Sequence, residues 1–185
     1  MAYWSGKKTA EAVADVLFGD YNPDGILPFS YPKSMGEMVL YDRKPTEDIR
    51  EVFNDNVSGG YDPLYPFGFG LSYTTFEYSD LKLGSNSLTG NNKLTISITV
   101  KNTGNRDGKH AVELYTHEHY ASITPNVKRL RAFQKVNLKA GESKTLTFTL
   151  DKNDIAFVNA DLKTVTEAGD FDVMIGDKKT TFSYQ

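Results

Sequence analysis

Hydrophobic and polar positions along this chain of 185 residues obey two different rules, one in its first part and another in the rest. From Lys93 the string KLTISITVKN sets Leu94, Ile96, Ile98 and Val100 at every second position, with polar residues between them. A period of two marks a strand with one face buried and the other in water. NTGNRDG, residues 102–108, then reads as a turn. The alternation returns in AVELYTH (111–117), RLRAFQKVNL (129–138), SKTLTFTL (143–150), FDVMIG (171–176) and TTFSY (180–184), with FEYSDLKL (76–83) ahead of them. Seven short strands separated by Gly, Asn and Asp turns predict an antiparallel β-sandwich of immunoglobulin or fibronectin type III kind. Leu94, Ile96, Ile98, Val100, Leu114, Leu146, Phe148, Leu150, Phe171, Val173 and Ile175 are expected to face inward.

The first part follows a helical rule. In TAEAVADVLFG, Ala10, Val13, Val16 and Leu17 share one face, Thr9 is placed to cap the start, and Gly19 falls where a left-handed C-terminus would end the helix. NPDG (22–25) follows, then ILPFSYP, whose two prolines limit it to an edge strand or an extended connection. Residues 33–62 show no clear period and read as a long surface excursion. A helix, a short strand and a long loop cannot cover one another's apolar faces, so they read as part of a larger α/β domain. The chain is therefore expected to be mainly β. Residues 1–32 would be the remnant of an α/β sandwich domain, 33–75 a connecting segment and 76–185 the β-sandwich.

Composition acts by exclusion. The formal net charge is -3, which argues against a nucleic-acid partner. The charge is uneven: residues 1–75 hold 6 Lys or Arg against 11 Asp or Glu, and residues 76–185 hold 15 against 13. No apolar run approaches the eighteen or so residues of a membrane span, and the opening residues lack the order of a signal peptide. A soluble chain without an address label is expected, with the compartment left open. Zero cysteines exclude disulfides, thiolate catalysis and Cys-ligated zinc.

One uncharged segment, PLYPFGFGLSYTTF (63–76), stands apart from this polar background. Together with AVADVLFGDYNPDGILPFSYP (12–32), YDRKPT (41–46), VKNTGNRDG (100–108), AVELY (111–115), VKRLRAF (127–133), LKAGESKTLTFTL (138–150) and AGDFDVMIG (168–176), it resembles, in order and end to end, the C-terminal portion of family 3 glycoside hydrolases of the β-glucosidase type. In that family a barrel precedes an α/β sandwich domain, and many members end in a fibronectin type III-like domain. The resemblance implies a piece of a longer enzyme, beginning almost on the last helix of the α/β domain. Its partners would be the missing barrel and α/β domains.

On this reading Pro63, Pro66, Gly68 and Gly70 set turns that carry Leu64, Tyr65, Phe67, Phe69 and Leu71 into a crevice between two domains. The plainer alternative is a strand entry that packs onto the sandwich alone. The apolar residues Val13, Val16, Leu17, Phe18, Ile26, Leu27 and Phe29 lack the sheet that would cover them, so residues 1–32 are expected to fold back on the 63–76 segment or dock on a second copy in a homo-oligomer. One departure from the family is Asn126, which stands where a proline is usual, with Pro125 one place early.

Candidate chemistry is sparse. The resemblance places the nucleophilic aspartate in the barrel and the acid/base glutamate earlier in the α/β domain, so no catalytic residue is assigned here and no cofactor is called for. Asp42, Glu47, Asp48, Glu51 and Asp55 read as a solvated acidic loop. In HAVELYTHEHY, a single strand would point Glu113, His117 and His119 from one face, which could share a metal, although exposed polar surface is the ordinary reading. Tyr115 and Tyr120 could form a stacking platform for a sugar, or simply be strand tyrosines. Two rivals to a non-catalytic scaffold therefore stay open. They are a free-standing carbohydrate-binding module with an aromatic row on one sheet, and an adhesion sandwich with an exposed apolar patch.

Overall fold

The computed structural model describes residues 6–48, 51–53, 56–58 and 60–185. One helix, α1 (Thr9–Phe18), is followed by a small hairpin of β1 (Glu51–Phe53) and β2 (Asn56–Ser58). The remaining strands are β3 (Phe76–Leu83), β4 (Ser87–Leu88), β5 (Leu94–Asn102), β6 (Gly108–Glu118), β7 (Arg129–Leu138), β8 (Ser143–Leu150), β9 (Phe157–Val158), β10 (Thr164–Val165), β11 (Gly169–Ile175) and β12 (Lys178–Tyr184).

The seven expected strands all form, and they divide into two sheets. One has the order β3-β5-β8 and the other β4-β12-β11-β6-β7. Each inward residue named from the alternation is buried, and Ile96, Ile98, Val100, Leu114, Val173 and Ile175 are fully so. Pairing explains why the alternation survives: Leu94, Ile96 and Ile98 stand directly opposite Leu150, Phe148 and Leu146, so the apolar sides of β5 and β8 coincide. Phe171 and Phe182 stack across β11 and β12 at 5.4 Å. Val112, Val136 and Leu138 complete the core from β6 and β7. Pairing is antiparallel except at one edge, where the two-residue β4 runs parallel to β12.

NTGNRDG is a turn built around Asn102, which has no exposed surface. Its amide donates to the Arg106 and Leu138 carbonyls at 2.7 and 3.2 Å, and its Oδ1 accepts from Thr74 Oγ1 and the Gly104 N–H at 2.5 and 3.1 Å. A buried amide with every group used fixes a loop far more sharply than its exposed neighbours can.

The first part is different. α1 ends where expected: Gly19 adopts φ 85° and its N–H returns to the Val16 carbonyl at 3.2 Å. Its start corrects the sequence reading. Lys8 holds the N-cap position, and Thr9 is already helical, its hydroxyl donating to the Gly6 carbonyl at 2.6 Å instead of capping. None of the helix is buried. The ILPFSYP stretch is extended and pairs with the uncharged segment through Leu27 N–H to Phe69 O, Gly68 N–H to Leu27 O, Tyr31 N–H to Tyr65 O and Leu64 N–H to Tyr31 O, all between 2.7 and 2.9 Å. Residues 33–62, expected to be an irregular excursion, also contain the short β1–β2 hairpin. Among the described residues no helix is long and apolar enough to cross a membrane.

Candidate functional site

The candidate site is the junction where the first part of the chain is fastened to the outer face of the larger sheet. NPDG, which reads as a turn, supplies the main fastenings. Asn22 Nδ2 donates to the Asp107 carbonyl at 2.9 Å, while its Oδ1 accepts from Ser72 Oγ at 3.0 Å and the Tyr73 N–H at 2.8 Å. One side chain thus ties three segments together. Asp24 bridges Lys135 at 2.9 Å and Lys109 at 3.5 Å, on neighbouring strands, and accepts from Tyr21. Burial opposes its charge, but the Lys135 and Tyr21 hydrogen bonds and the two lysine charges outweigh it and hold its pKa below the usual carboxylate value. Tyr73 Oη donates to the Val16 carbonyl at 2.6 Å, and Arg106 to the Gly19 carbonyl at 3.1 Å, closing the open end of α1.

The uncharged segment runs through this junction and touches both sides. Gly70 lies so near the front segment that a Cβ there would meet the Gly25 carbonyl at 2.6 Å. A Cβ on Gly68 would meet the Glu113 carboxylate of β6 at 2.7 Å, and Gly68 also has φ 81°, so a side chain is excluded twice. Between the two glycines and the sheet lies a cleft of about 180 Å³, lined by Asp24, Ile26, Leu71, Phe76, Lys109 and His110 among others. Only part of the segment turns toward the sandwich. Phe67 stacks on Tyr41 at 4.2 Å, and Tyr41 meets Tyr115 edge-on at 6.3 Å. Leu64, Tyr65, Phe69 and Leu71 are 50, 40, 36 and 73% exposed in this chain, which holds one side of the expected crevice.

The residues singled out in HAVELYTHEHY hydrogen-bond to separate groups, although the His117 and His119 rings lie 5.9 Å apart. Tyr115 is buried, donates to Glu113 Oε2 at 2.7 Å, and carries Lys128 Nζ 4.4 Å above its ring. Burial, reinforced by Glu113, pushes its phenol far up. With Tyr41 at its edge and Lys128 on its face, that ring has no free surface for a sugar. Tyr120 stands 85% exposed, so the two tyrosines do not make one platform, which corrects that expectation. His117 Nδ1 lies 2.8 Å from the Asn126 carbonyl, and His119 Nε2 lies 3.0 Å from Asp172. Glu113 belongs to Tyr115. No group of three or more metal-ligating side chains occurs among the described residues.

Asp172 is the anchor of that corner. Its carboxylate also takes Lys179 at 2.6 Å and Thr181 Oγ1 at 2.9 Å. Burial alone would raise its pKa, but the hydrogen bonds from Lys179, His119 and Thr181 bring it down to about 2. Asn126 is the second fastening that the sequence could not show. Its Oδ1 accepts from Lys44 Nζ at 2.8 Å, its Nδ2 donates to the Asp42 carbonyl, and Val127 N–H donates to the Arg43 carbonyl at 2.8 Å. A proline at 126 would have no amide side chain for these bonds, so the departure from the family pattern creates a tie between residues 42–44 and the sandwich.

Among the acidic loop residues, Glu47 Oε2 accepts the Lys44 N–H at 2.6 Å and Asp42 contributes its carbonyl to Asn126. The side chains of Asp48, Glu51 and Asp55 lie outside the described residues. The signal that could have found this junction was the NPDG string, where an Asn and an Asp flank a proline between the helix and ILPFSYP.

Comparison with known proteins accounts for both regions. Residues 1–73 match the glycosyl hydrolase family 3 C-terminal domain, and residues 110–179 match the fibronectin type III-like domain. The chain is 41% identical over 185 residues to a periplasmic β-glucosidase of Salmonella typhimurium, covering 94% of this chain and 24% of that protein. It is 40% identical to thermostable β-glucosidase B of Acetivibrio thermocellus, covering 95% of this chain and 24% of the relative. A β-glucosidase structure from Listeria innocua in complex with glucose superposes with a TM-score of 0.86 at 32% identity, over 97% of this chain and 26% of that one. The chain thus spans about a quarter of the length of the relatives it matches. It belongs to glycoside hydrolase family 3, as the C-terminal part of that family's β-glucosidases and β-xylosidases, with their fibronectin type III-like domain.

Proposed function

We propose that this chain is the non-catalytic C-terminal scaffold of a retaining enzyme that hydrolyses β-linked gluco- or xylo-configured sugars, and that its partners are the barrel and α/β domains of that enzyme. One observation carries the reading. Of the eighteen large hydrophobic side chains left exposed among the described residues, fourteen lie in residues 13–73, and four in the whole sandwich. Val13, Leu17 and Phe18 of α1, Phe29 and Tyr31 after it, and Leu64, Tyr65, Phe69 and Leu71 supply this apolar surface, while Asn22 and Asp24 bind the other side of the same segments to the sandwich. Apolar surface concentrated on one part of a chain marks an interface. The sandwich then acts as a rigid base that holds these segments against the rest of the enzyme, and the catalytic carboxylate pair belongs to the barrel and α/β portions.

A graft tests this. The chain alone is expected to hydrolyse no aryl β-glycoside, and to support activity when it replaces the corresponding part of the Acetivibrio thermocellus β-glucosidase. Turnover that copurifies with the isolated chain, or a folded chimera without activity, would overturn the reading.

A further inference from the structure

The inner face of β6 changes character toward its end. Val112 and Leu114 are buried apolar residues, and the next inward positions are Thr116 and Glu118, the latter opposite the core residue Phe171. Arg129 of β7 faces Thr116 directly. Arg131 is the extra residue where the pairing slips, Leu114 facing Ala132 but Tyr115 facing Leu130. With Lys44, Phe157 and residues 121 and 123–126, these side chains line a cavity of about 30 Å³. That is room for about two waters and too little for a pyranose.

The walls are mismatched in charge. Arg131 gives its Nε–H to Thr116 Oγ1 at 2.8 Å, but among the described residues its terminal nitrogens and the whole Arg129 guanidinium meet neither an acceptor side chain nor an ion-pair partner. Burial, then the neighbouring Arg129 charge, bring Arg131 down to about 10. Glu118 Oε1 is buried without a hydrogen-bond partner, and burial together with Glu167, opposed by Arg131, raises its carboxyl to about 7. The loop over the cavity is held at both ends, by Ser122 N–H and Oγ on the Glu167 carboxylate at 2.8 and 2.5 Å and by Lys44 on Asn126 at 2.8 Å.

We propose that this cavity is a binding site for a small oxyanion of carboxylate size, held between the guanidiniums of Arg129 and Arg131 beside the Glu118 carboxyl. A planar carboxylate matches the fork of N–H donors that a guanidinium presents. Glu118 faces Arg129 and Arg131 from β7, Lys44 from the connecting segment and Glu167 from the loop before β11, with Asp154 and Tyr41 acting on Arg131. An ionised Glu118 repels the ligand and a protonated one can donate to it, so binding takes up a proton. The head group can come from a free organic acid or from an Asp or Glu side chain elsewhere in the enzyme.

The test titrates the full chain with sodium formate, using sodium chloride at equal ionic strength as the control, by calorimetry and by NMR of the arginine Nε–H groups. Saturable formate binding is expected, with shifts at Arg129 and Arg131 and an affinity about tenfold weaker at pH 8 than at pH 6. Glu118→Gln should bind at pH 8 as the unaltered chain binds at pH 6, and Arg129→Gln should lose the formate shifts. Formate indistinguishable from chloride at both pH values would overturn the proposal, as would binding to Glu118→Gln that still weakens between them. If Arg129→Gln does not fold, the shifts of the unaltered chain decide alone. In the grafted enzyme, formate binding that persists assigns the site to free acids. Arginine resonances already at their bound positions, with no response to formate, assign it to a side-chain carboxylate of the enzyme.

Discussion

The helix Thr9–Phe18 and the strand Leu94–Asn102 are both amphipathic, and they end in opposite states. In the strand, Leu94, Ile96, Ile98 and Val100 are each at most 1% exposed. In the helix, Leu17 and Phe18 are 70 and 84% exposed and no residue is buried. An apolar stripe records that a partner is needed, without saying whether the partner lies in the same chain. β5 finds β3 and β8 beside it and the larger sheet across from it, while α1 has only polar fastenings at its C-terminal end.

The comparison breaks most visibly by deleting methyl groups in the closed region. Ile98→Ala removes a fully buried side chain from the middle of β5 and should cost about 2 to 5 kcal/mol, seen as a fall in the denaturation midpoint. A midpoint that stays in place would mean that the sandwich is not the stable unit.

The same contrast explains what could be read in advance. The sandwich was legible because most of its strands carry a period of two, although the slips in the β3–β5 and β6–β7 pairing and the consecutive burial of Leu114, Tyr115 and Thr116 lie outside that pattern. The junction was not, because it depends on side chains distant in sequence: Asn22 reaches Asp107 and Ser72, Asp24 reaches Lys109 and Lys135, and Lys44 reaches Asn126. No local period encodes such contacts. Glu113, His117 and His119 attracted notice for their spacing, yet spacing does not reveal that Tyr115, the Asn126 carbonyl and Asp172 occupy them. Family resemblance singled out the uncharged segment, but not how much of Leu64 and Leu71 the sandwich alone would leave exposed.

Acid should loosen the sandwich through Asp172. Its native pKa of about 2 lies below the ordinary aspartate value near 3.9, so its contribution is complete above about pH 4 and disappears as the pH falls toward 2. The loss should be about 2 kcal/mol, and Asp172→Asn should show a smaller acid dependence over that window. An identical acid profile in the variant would remove Asp172 from this role.

A smaller effect, confined to the junction, is expected from Asn22→Ala. Three hydrogen bonds disappear, at a net cost of about 1 to 2 kcal/mol. Because they tie the front segment to an already formed sandwich, amide exchange should accelerate across residues 20–31 and in the pairing with residues 64–69, while β5 and β8 keep their protection. Acceleration spread evenly over both regions would mean that the junction and the sandwich unfold as one.

The smallest change in the isolated chain should come from Leu17→Ser and Phe18→Ser, and it is the most informative about α1. Both side chains are mostly in water already, so each substitution should move stability by no more than about 0.5 kcal/mol. At high concentration the variants should self-associate less than the unaltered chain, since they shrink the exposed apolar surface. In the grafted enzyme the balance reverses. If α1 lies against the α/β domain there, each substitution forfeits the burial of a large apolar side chain, about 1.5 to 3 kcal/mol, and the enzyme's thermal midpoint should fall accordingly. Equal and negligible effects in both settings would show that α1 stays solvated in the enzyme too, and the apolar surface would then need a different occupant.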